Sequence, residues 1–370
     1  MRLPIKKRLP IAVDIGAGSL RAMQFERKHD RITIRHWTHQ VIPQADDPDP
    51  SNGDLTNGLS AIQPVGWDLF GGREVVTTIG PPELEVCSLQ VPGSFLNLER
   101  HKLLQSIRQE AARQINYPID SVEMDCWPLQ SGHGHGANLM VGAVRREVIE
   151  RIIKWSSEQG YLCSRIDLAP LSTLRGCARI MSDLPRDQLW GVLDVGERAS
   201  RLYLAVGETP VYVRTLPCGA REMTKRIADE LGVKPPIAER YKRHYGIRGE
   251  ETGYRPMLAA GAAMDEDRMA SILSGVLNPL LHDMAGDIEK SFRYGLALYP
   301  ELPVNCLILA GGGGCLEGLD EVLGHWLGIR VRRMALDESI DLNGHHATLT
   351  GHALLGMANC FGLSFGADET

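Results

Sequence analysis

The chain has 370 residues, which at about 100 to 200 residues per domain suits one large bilobed unit or two to three domains. Hydrophobic residues make up 43% and charged residues 23%, a composition typical of folded proteins and unlike that of disordered ones. The 40 basic and 46 acidic residues leave a formal net charge of −6. No overall positive field therefore favours nucleic acid as a partner.

The N-terminal basic cluster Lys6-Lys7-Arg8 precedes a short apolar segment, IAV, which ends at Asp14. Signal peptides need roughly 7 to 15 apolar residues and membrane-spanning helices about 20, so neither is predicted here. The eight cysteines are widely spaced and form no C-x-x-C pair. This spacing favours reduced thiols in the cytoplasm over a zinc site or a disulfide framework.

An internal repeat is visible in the predicted strands. Near the N-terminus, IAVDIG, LRAMQF and RITIRHW read as three strands separated by a glycine turn and a polar turn, and LWGVLDVG, SRLYLAV and PVYVRTL repeat this pattern later in the chain. Asp14 with Gly16 and Asp194 with Gly196 end the first strand of each copy, 194 − 14 = 180 residues apart. Solenoid repeats span about 20 to 50 residues, so this period predicts a duplicated domain.

Between the two copies, helices are predicted over 98–115 and 147–159, on either side of the strand-like segments VEMDCWPL and NLMVGAV. This helix-strand-strand-helix block is predicted to be a subdomain inserted into the first copy. Residues 46–72 are predicted to form a loop, and residues 221–246 are predicted to be helical. The predicted boundaries are 10–81 and 166–186 for the first lobe, 82–165 for the insertion, 187–232 and 303–364 for the core of the second lobe, and 233–302 for its helical subdomain.

Two common phosphate-binding motifs are excluded. No G-x-x-x-x-G-K-[ST] segment occurs, which excludes the P-loop class. The segment IAVDIGAGSLR has Arg21 at the third glycine position of G-x-G-x-x-G, so the Rossmann fingerprint fails where the helix would have to pack on the strand.

Each D-x-G segment has the features of half a nucleotide clamp. Glycines let backbone N–H groups approach phosphate oxygens, hydroxyls add donors, and an aspartate can orient water held by Mg²⁺. Such turns also close ordinary hairpins, but two of them in matched strand contexts favour nucleotide binding. The residues expected to act in this way are Asp14, Gly16, Gly18, Ser19, Asp194, Gly196 and Ser200.

Four consecutive glycines, Gly311-Gly312-Gly313-Gly314, follow the apolar strand CLILA. In regular structure each costs roughly 0.5 to 1 kcal/mol relative to alanine, so the run indicates that something approaches this backbone closely. A purine or a ribose is one candidate, and a flexible turn is the alternative. With the two D-x-G segments, the run forms a third part of one predicted nucleotide site.

The two D-x-G segments and LILAGGGG, in that order, resemble the phosphate 1, phosphate 2 and adenosine motifs of the actin-like ATPase superfamily. AERYK places Glu239 and Lys242 one helical turn apart, similar to the E-x-x-K helix that contacts adenosine in the chaperones and in FtsA of that superfamily. An i, i+3 salt bridge is the alternative for this pair. The resemblance implies an α/β, duplicated ribonuclease H-like fold that binds ATP and Mg²⁺ between two lobes.

Within that superfamily, nearly the whole chain resembles the PilM family of type IV pilus assembly proteins. The similar segments are LQVPGSFLNLERHKLLQSIRQEAARQINYPIDSVEMDCWPL, RREVIERIIKWSSEQGYLCSRID, VRTLPCGAREMTKRIADELG and LTGHALLGMANCFGLS. In the third, Gly219 and Thr224 match the family pattern, and Ala220 replaces a second glycine.

This resemblance implies a cytoplasmic ATP-binding scaffold. Its partner would be the cytoplasmic N-terminal peptide of a PilN-like inner-membrane protein, docked between the large lobe and the inserted subdomain. The chain would then lie at the inner face of the inner membrane without inserting into it. Whether it associates with itself is left open.

Two departures from the superfamily pattern bear on hydrolysis. After Gly196 the chain reads Glu197-Arg198-Ala199-Ser200, where small and hydroxyl residues are usual in the superfamily. Ala169 stands where the chaperones and FtsA have an acidic residue before proline, although Asp167 lies two residues upstream. Since alanine cannot orient a water, we expect ATP binding with weak or absent hydrolysis.

The expected site residues fall into two sets. The candidate catalytic carboxylates are Asp14, Asp167 and Asp194, and the first and third would also hold Mg²⁺ through water. The expected nucleotide contacts are Gly16, Gly18, Ser19, Arg21, Gly196, Ser200, Gly219, Glu239, Lys242, Gly311, Gly312, Gly313 and Gly314.

Three alternative functions remain at this point. A small-molecule kinase of the same superfamily would need a carboxylate base at a substrate hydroxyl, and only the three candidate aspartates offer one. An FtsA-like division protein would carry a basic amphipathic anchor, which is not evident at the end of this sequence. The cytoplasmic part of a GspL-like secretion platform would belong with a membrane-spanning helix, which is not predicted here.

Overall fold

We describe a computed structural model of the chain, over residues 7–28, 31–42, 59, 62–64, 66–129, 138–248, 266–337, 340–343 and 349–366. Lys6 of the basic cluster and most of the loop predicted over 46–72 lie outside these ranges. In the part described, the strands form three sheets of seven, five and three strands.

The first half of the chain supplies most of the first large sheet and the whole of the small one. Its strands and helices are, in chain order, β1 Lys7–Arg8, β2 Ile11–Ile15, β3 Ser19–Lys28, β4 Arg31–Val41, β5 Glu74–Ile79, β6 Leu84–Leu89, α1 Arg100–Ala111, β7 Val122–Pro128, β8 Leu139–Arg145, α2 Arg146–Glu158, β9 Leu162–Leu168 and α3 Ala169–Ile180.

The second half supplies the other large sheet and then returns to the first. Its strands and helices are β10 Leu189–Val195, β11 Ser200–Val206, β12 Thr209–Leu216, α4 Ala220–Leu231, α5 Pro235–Tyr245, α6 Glu266–Leu298, β13 Val304–Ala310, α7 Leu319–Leu327, β14 Arg330–Arg333, β15 Ile340–Asp341, α8 Gly351–Leu355 and α9 Ala358–Phe365. The segment predicted to be helical over 221–246 is divided into two helices, because Gly232 takes the left-handed φ of 62° and ends α4.

The two large sheets share one strand order and one set of directions. The first runs β4-β3-β2-β5-β9, with β15 added beside β4 and β1 paired with β3, and the second runs β12-β11-β10-β13-β14. In each, the three strands nearest in sequence are antiparallel and the next two are parallel. The predicted duplicated α/β fold is therefore confirmed.

The small sheet, in the order β6-β8-β7, belongs to the insertion. Its central strand β8 is buried on both faces, because alternate side chains enter different cores. Leu139, Val141 and Ala143 pack in a cluster with α1, while Met140 and Val144 join the cluster that extends into the large lobes. The domain boundaries drawn from the sequence stay a prediction.

A shared hydrophobic cluster joins the two large sheets. It contains Met23 and Phe25 of the first sheet, Trp190 and Tyr203 of the second, and Phe361 of α9. Helix α3 contacts strands of both sheets and packs along α9. The two lobes are thus connected by buried apolar side chains and by α3, which contacts strands of both sheets, and a cleft lies between the rest of their facing surfaces.

Candidate functional site

A cavity of about 960 Å³ lies between the two lobes, within the usual size range of small-molecule sites. The hairpin that joins β2 to β3, the hairpin that joins β10 to β11, helix α5 and the glycine run all contribute to its walls. The predicted site residues that line it are Asp14, Gly16, Gly18, Ser19, Arg21, Asp194, Gly196, Glu239, Lys242, Gly311, Gly312 and Gly313.

The two hairpins have matching backbone geometry and face each other. The Gly16 N–H donates to the Ser19 carbonyl at 2.9 Å, and the Gly196 N–H donates to the Ala199 carbonyl at 3.2 Å. A Cβ atom on Gly18 would lie 3.1 Å from Cγ of Glu197, so the tip of one hairpin approaches a side chain of the other. Backbone from both repeats therefore converges on one end of the cavity.

Each hairpin carries an aspartate opposite an arginine. Asp14 is the cross-strand partner of Arg21, whose Nη1 lies 3.1 Å from Asp14 Oδ2. Asp194 is the partner of Arg201, whose Nη1 lies 3.8 Å from Asp194 Oδ2. The sequence-based prediction included Arg21 but missed Arg201, although the repeat offset of 201 − 21 = 180 residues points to it.

Asn359, at the start of α9, is a second residue that sequence reasoning missed. Its Nδ2 donates to Asp14 Oδ1 at 2.9 Å, and its Oδ1 accepts from the hydroxyls of Thr173 at 2.7 Å and Ser172 at 2.9 Å. Asn359 of α9 therefore links the first aspartate to α3. No local pattern signals this role, because 359 − 14 = 345 residues separate the pair.

The two aspartates act on each other across the cleft. Burial raises the pKa of Asp194, the guanidinium of Arg201 opposes that rise, and the carboxylate of Asp14 adds to it. Two carboxylates from opposite lobes fit the oxygen-ligand preference of Mg²⁺ held through water. In the part of the chain described here, no group of three or more histidine, cysteine or acidic side chains is arranged to hold a metal ion.

The glycine run is crowded by the protein itself. Gly311 has a φ of 76° and a ψ of 161°, a region that only glycine adopts readily, and a Cβ there would collide with Asp194 and the Val195 backbone. A Cβ on Gly313 would lie 2.5 Å from Cγ1 of Val195. Strand β10 thus explains two of these glycines, while Gly312 lies in the cavity wall.

Lys242 is buried in a hydrogen-bond network at the edge of the cavity. Its Nζ donates to Glu239 Oε2 at 2.6 Å, to Thr224 Oγ1 at 2.6 Å and to the Ala220 carbonyl at 2.9 Å. A lysine has three donors, so all of them are used within the protein. Nε of Arg243 donates to the other carboxylate oxygen of Glu239 at 2.6 Å. Lys242 therefore joins α5 to α4, and Glu239 and Arg243 are better placed to face a ligand.

The network determines the charge of Glu239. Burial alone would raise the pKa of this carboxyl, but the ammonium of Lys242 and the hydrogen bonds from Lys242, Thr224 and Arg243 together lower it to about 2. Glu239 is therefore ionised at neutral pH.

Ser200 does not reach the cavity, contrary to expectation. It is fully buried, and its Oγ donates to the Cys218 carbonyl at 2.6 Å. The physical reason is strand alternation, since Ser200 pairs with Val195 as Leu20 pairs with Ile15 in the first repeat. A shift of one residue from Ser19 places its side chain on the opposite face of the sheet.

Three further predicted residues also lie outside the cavity wall. The carboxylate of Asp167 accepts from Arg175 at 2.9 Å and from the Leu168 N–H at 2.9 Å, which removes it from the candidate bases for a kinase. Gly219 precedes α4, where a Cβ would crowd the backbone of Arg198. Gly314 is buried beside Leu309 and Leu355.

The family model described as "Type IV pilus assembly protein PilM" matches residues 12–253 of the chain. The chain belongs to this PilM family, as the sequence resemblance predicted. A solved structure described as "PilM-PilN type IV pilus biogenesis complex" is similar over 98% of each chain, with a TM-score of 0.73 at 20% identity.

The ethanolamine utilization protein EutJ from Carboxydothermus hydrogenoformans is similar over 98% of this chain and 91% of its own, with a TM-score of 0.53 at 12% identity. At such identities the likeness shows the fold, which is that of the actin-like ATPases. None of the described helices has both the length and the apolar character that crossing a membrane requires.

Proposed function

We propose that the chain is an ATP-binding scaffold of a type IV pilus assembly platform, located in the cytoplasm and held at the inner membrane by a PilN-like partner. The observation that carries the ATP site is the pair of facing hairpins, each with an aspartate-arginine pair, at one end of a cavity between two lobes. Membership of the PilM family supports the pilus context.

In this proposal the hairpins bind the phosphates through backbone N–H groups near Gly16 and Gly196. Basic side chains in the cavity wall would add positive charge that favours phosphate binding. They are Arg21, Arg198, Arg201, Arg221, Lys225 and Arg243. Asp14 and Asp194 would hold Mg²⁺ through water, which would supply further neutralisation of the phosphate charge.

The adenosine would lie between Gly312 and α5. Titration with ATP and Mg²⁺ tests this arrangement. Gly312→Asp should abolish binding, because it puts a carboxylate into the cavity wall, and the fold should stay intact. Gly286→Asp on α6, where a Cβ meets no atom within 4 Å, is the control and should bind like the wild type. Unchanged affinity in Gly312→Asp would refute the adenosine placement.

Hydrolysis is proposed to be weak or absent. Ala169 lines the cavity where an acidic residue would orient water, and Asp167 is paired with Arg175 instead. Phosphate release should therefore stay near the buffer background at saturating ATP. Steady turnover, removed by Asp14→Asn, would contradict this part of the proposal.

The proposed partner is the cytoplasmic N-terminal peptide of a PilN-like membrane protein, because PilN is the second protein of the similar solved complex. An extended peptide can add to a free strand edge through main-chain hydrogen bonds. Among the strands described, β6 and β7 are the two edges of the small sheet of the insertion, and β9 is one edge of the first large sheet.

The test mixes the full chain with a synthetic peptide of that N-terminus and with a scrambled peptide of equal composition. Binding of the first alone, with slower amide exchange along β6, β7 or β9, is the expected result. Affinity no better than that of the scrambled peptide would count heavily against the scaffold role.

A further inference from the structure

Arg201 connects the two lobes at the cleft. Its Nε and Nη2 donate to the carbonyl of Pro81 at 2.8 Å and 2.7 Å. Arg201 belongs to β11 of the second lobe, whereas Pro81 follows β5 of the first. Arg21, the equivalent residue of the first repeat, pairs with the aspartate of its own lobe. The contact with Pro81 therefore breaks the symmetry of the duplication.

Nη1 of Arg201 is on the side of the guanidinium away from Pro81, close to the hairpin that joins β10 to β11. The Nε and Nη2 donors form one edge of the planar group, and Pro81 occupies that edge. Nη1 lies 3.8 Å from Asp194, longer than a hydrogen bond, and 3.2 Å from the position of a Cβ on Gly196. Nη1 is thus beside the backbone turn that would receive a phosphate group.

Pro81 lies at the entrance to the inserted subdomain. The next strand, β6, begins at Leu84, and the Leu84 N–H donates to the Gly80 carbonyl at 3.1 Å. Pro81 and its neighbours Pro82 and Glu83 also line the cavity. Forming or breaking the hydrogen bonds from Arg201 to the Pro81 carbonyl therefore acts directly on the segment that leads into β6.

We propose that Arg201 is a clamp that couples phosphate groups in the cleft to the inserted subdomain. It binds Pro81 with one edge and a nucleotide phosphate with Nη1, so that the two contacts strengthen each other. The proposal rests on ATP binding at this site, and it gives the insertion, where the partner peptide is proposed to dock, a means to respond to nucleotide.

Amide hydrogen exchange of the full chain, with and without ATP and Mg²⁺, tests the clamp. Arg201→Lys keeps the positive charge but lacks the edge that holds the Pro81 carbonyl. Arg332→Lys is the matched control, since Arg332 forms a bidentate salt bridge with Asp183 and does not line the cavity. ATP should slow exchange over residues 82–89 in the wild type and in the control, and not in Arg201→Lys.

In the absence of nucleotide, Arg201→Lys should also exchange faster than the wild type over residues 82–89. Equal rates there, or protection by ATP that survives in Arg201→Lys, would overturn the clamp. An ATP titration separates the two proposals, because a wild type that binds no ATP defeats both. ATP binding that leaves exchange over 82–89 unchanged in the wild type defeats the clamp alone.

Discussion

Single residues in the glycine run differ in what they require, although the sequence makes them look alike. Gly311 has a backbone conformation that other residues rarely adopt, and a Cβ added there would overlap the carboxylate of Asp194. Gly314 has no such φ, and a Cβ there would meet its nearest atom, Cδ2 of Leu355, at an ordinary 3.4 Å. The run therefore contains one glycine that cannot be replaced without strain and one that is easily replaced.

We predict that Gly311→Ala lowers the free energy of unfolding by about 2 kcal/mol or more, from backbone strain and steric overlap together. Gly314→Ala is the matched control and should change it by less than about 1 kcal/mol, because its φ and surroundings accept a methyl group. Urea unfolding of both variants measures the difference. Equal effects at the two positions would contradict the assignment.

The residues that could be predicted from sequence are those whose partners lie close along the chain. Asp14, Gly16 and Arg21 share one hairpin, so a short pattern contains the whole arrangement. The expected position of Ser200 in the nucleotide site is wrong, because the sequence does not show which face of a strand a side chain occupies until the pairing register is known. Asn359 could not be found because only the tertiary fold brings it to Asp14.

Among the secondary-structure elements, α4 and α5 show how a network of charged and polar side chains can link two helices at the edge of a site. Lys242 and Glu239 of α5 both engage Thr224 of α4. The E-x-x-K spacing was predicted to contact adenosine, and in the structure its lysine holds two helices together. This lysine role depends on a residue of another helix, so the spacing alone does not reveal it.

The network predicts a pH dependence of stability. The folded pKa of Glu239 is about 2, below its ordinary 4.5, so its contribution is complete above pH 4.5 and is lost as the pH falls through about 2. Glu239→Gln should lower the free energy of unfolding by about 1 to 2 kcal/mol at neutral pH, allowing for the partial exposure of the carboxylate. The difference from the wild type should shrink toward pH 2.

Urea unfolding of wild type and Glu239→Gln at several pH values measures this difference. Glu110→Gln is a suitable control, because Glu110 of α1 forms an exposed i, i+3 pair with Arg113, which follows the end of that helix. A difference between wild type and Glu239→Gln that stays constant from neutral to acid pH would show that the network does not hold the Glu239 charge.

At the scale of the whole molecule, the 180-residue offset predicts the duplication, but no sequence pattern predicts how the insertion is attached. Nε1 of Trp127, in β7, donates to the Pro210 carbonyl of β12 at 2.8 Å. This contact joins the inserted subdomain to the second lobe, although the insertion interrupts the first. No sequence pattern specifies it, because its acceptor is a backbone carbonyl, which every residue has.

Trp127→Phe should lower the free energy of unfolding by about 1 to 3 kcal/mol more than Trp67→Phe does. Both changes shrink a buried ring, but only the first leaves a buried carbonyl without its donor. The indole N–H of Trp67 is buried and has no partner within the described ranges. Urea unfolding compares the two, with amide exchange along β7 as a local readout, and equal losses would refute the role of the Pro210 contact.

The return of the chain to the first sheet has a consequence for synthesis on the ribosome. Strand β15 pairs with β4, and Phe361 and Phe365 of α9 lie 5.5 Å and 6.3 Å, between ring centroids, from Phe25. The apolar face of the N-terminal sheet that α9 covers therefore stays uncovered until more than three hundred later residues have been translated. During that interval the nascent first lobe presents the kind of surface that chaperones recognise.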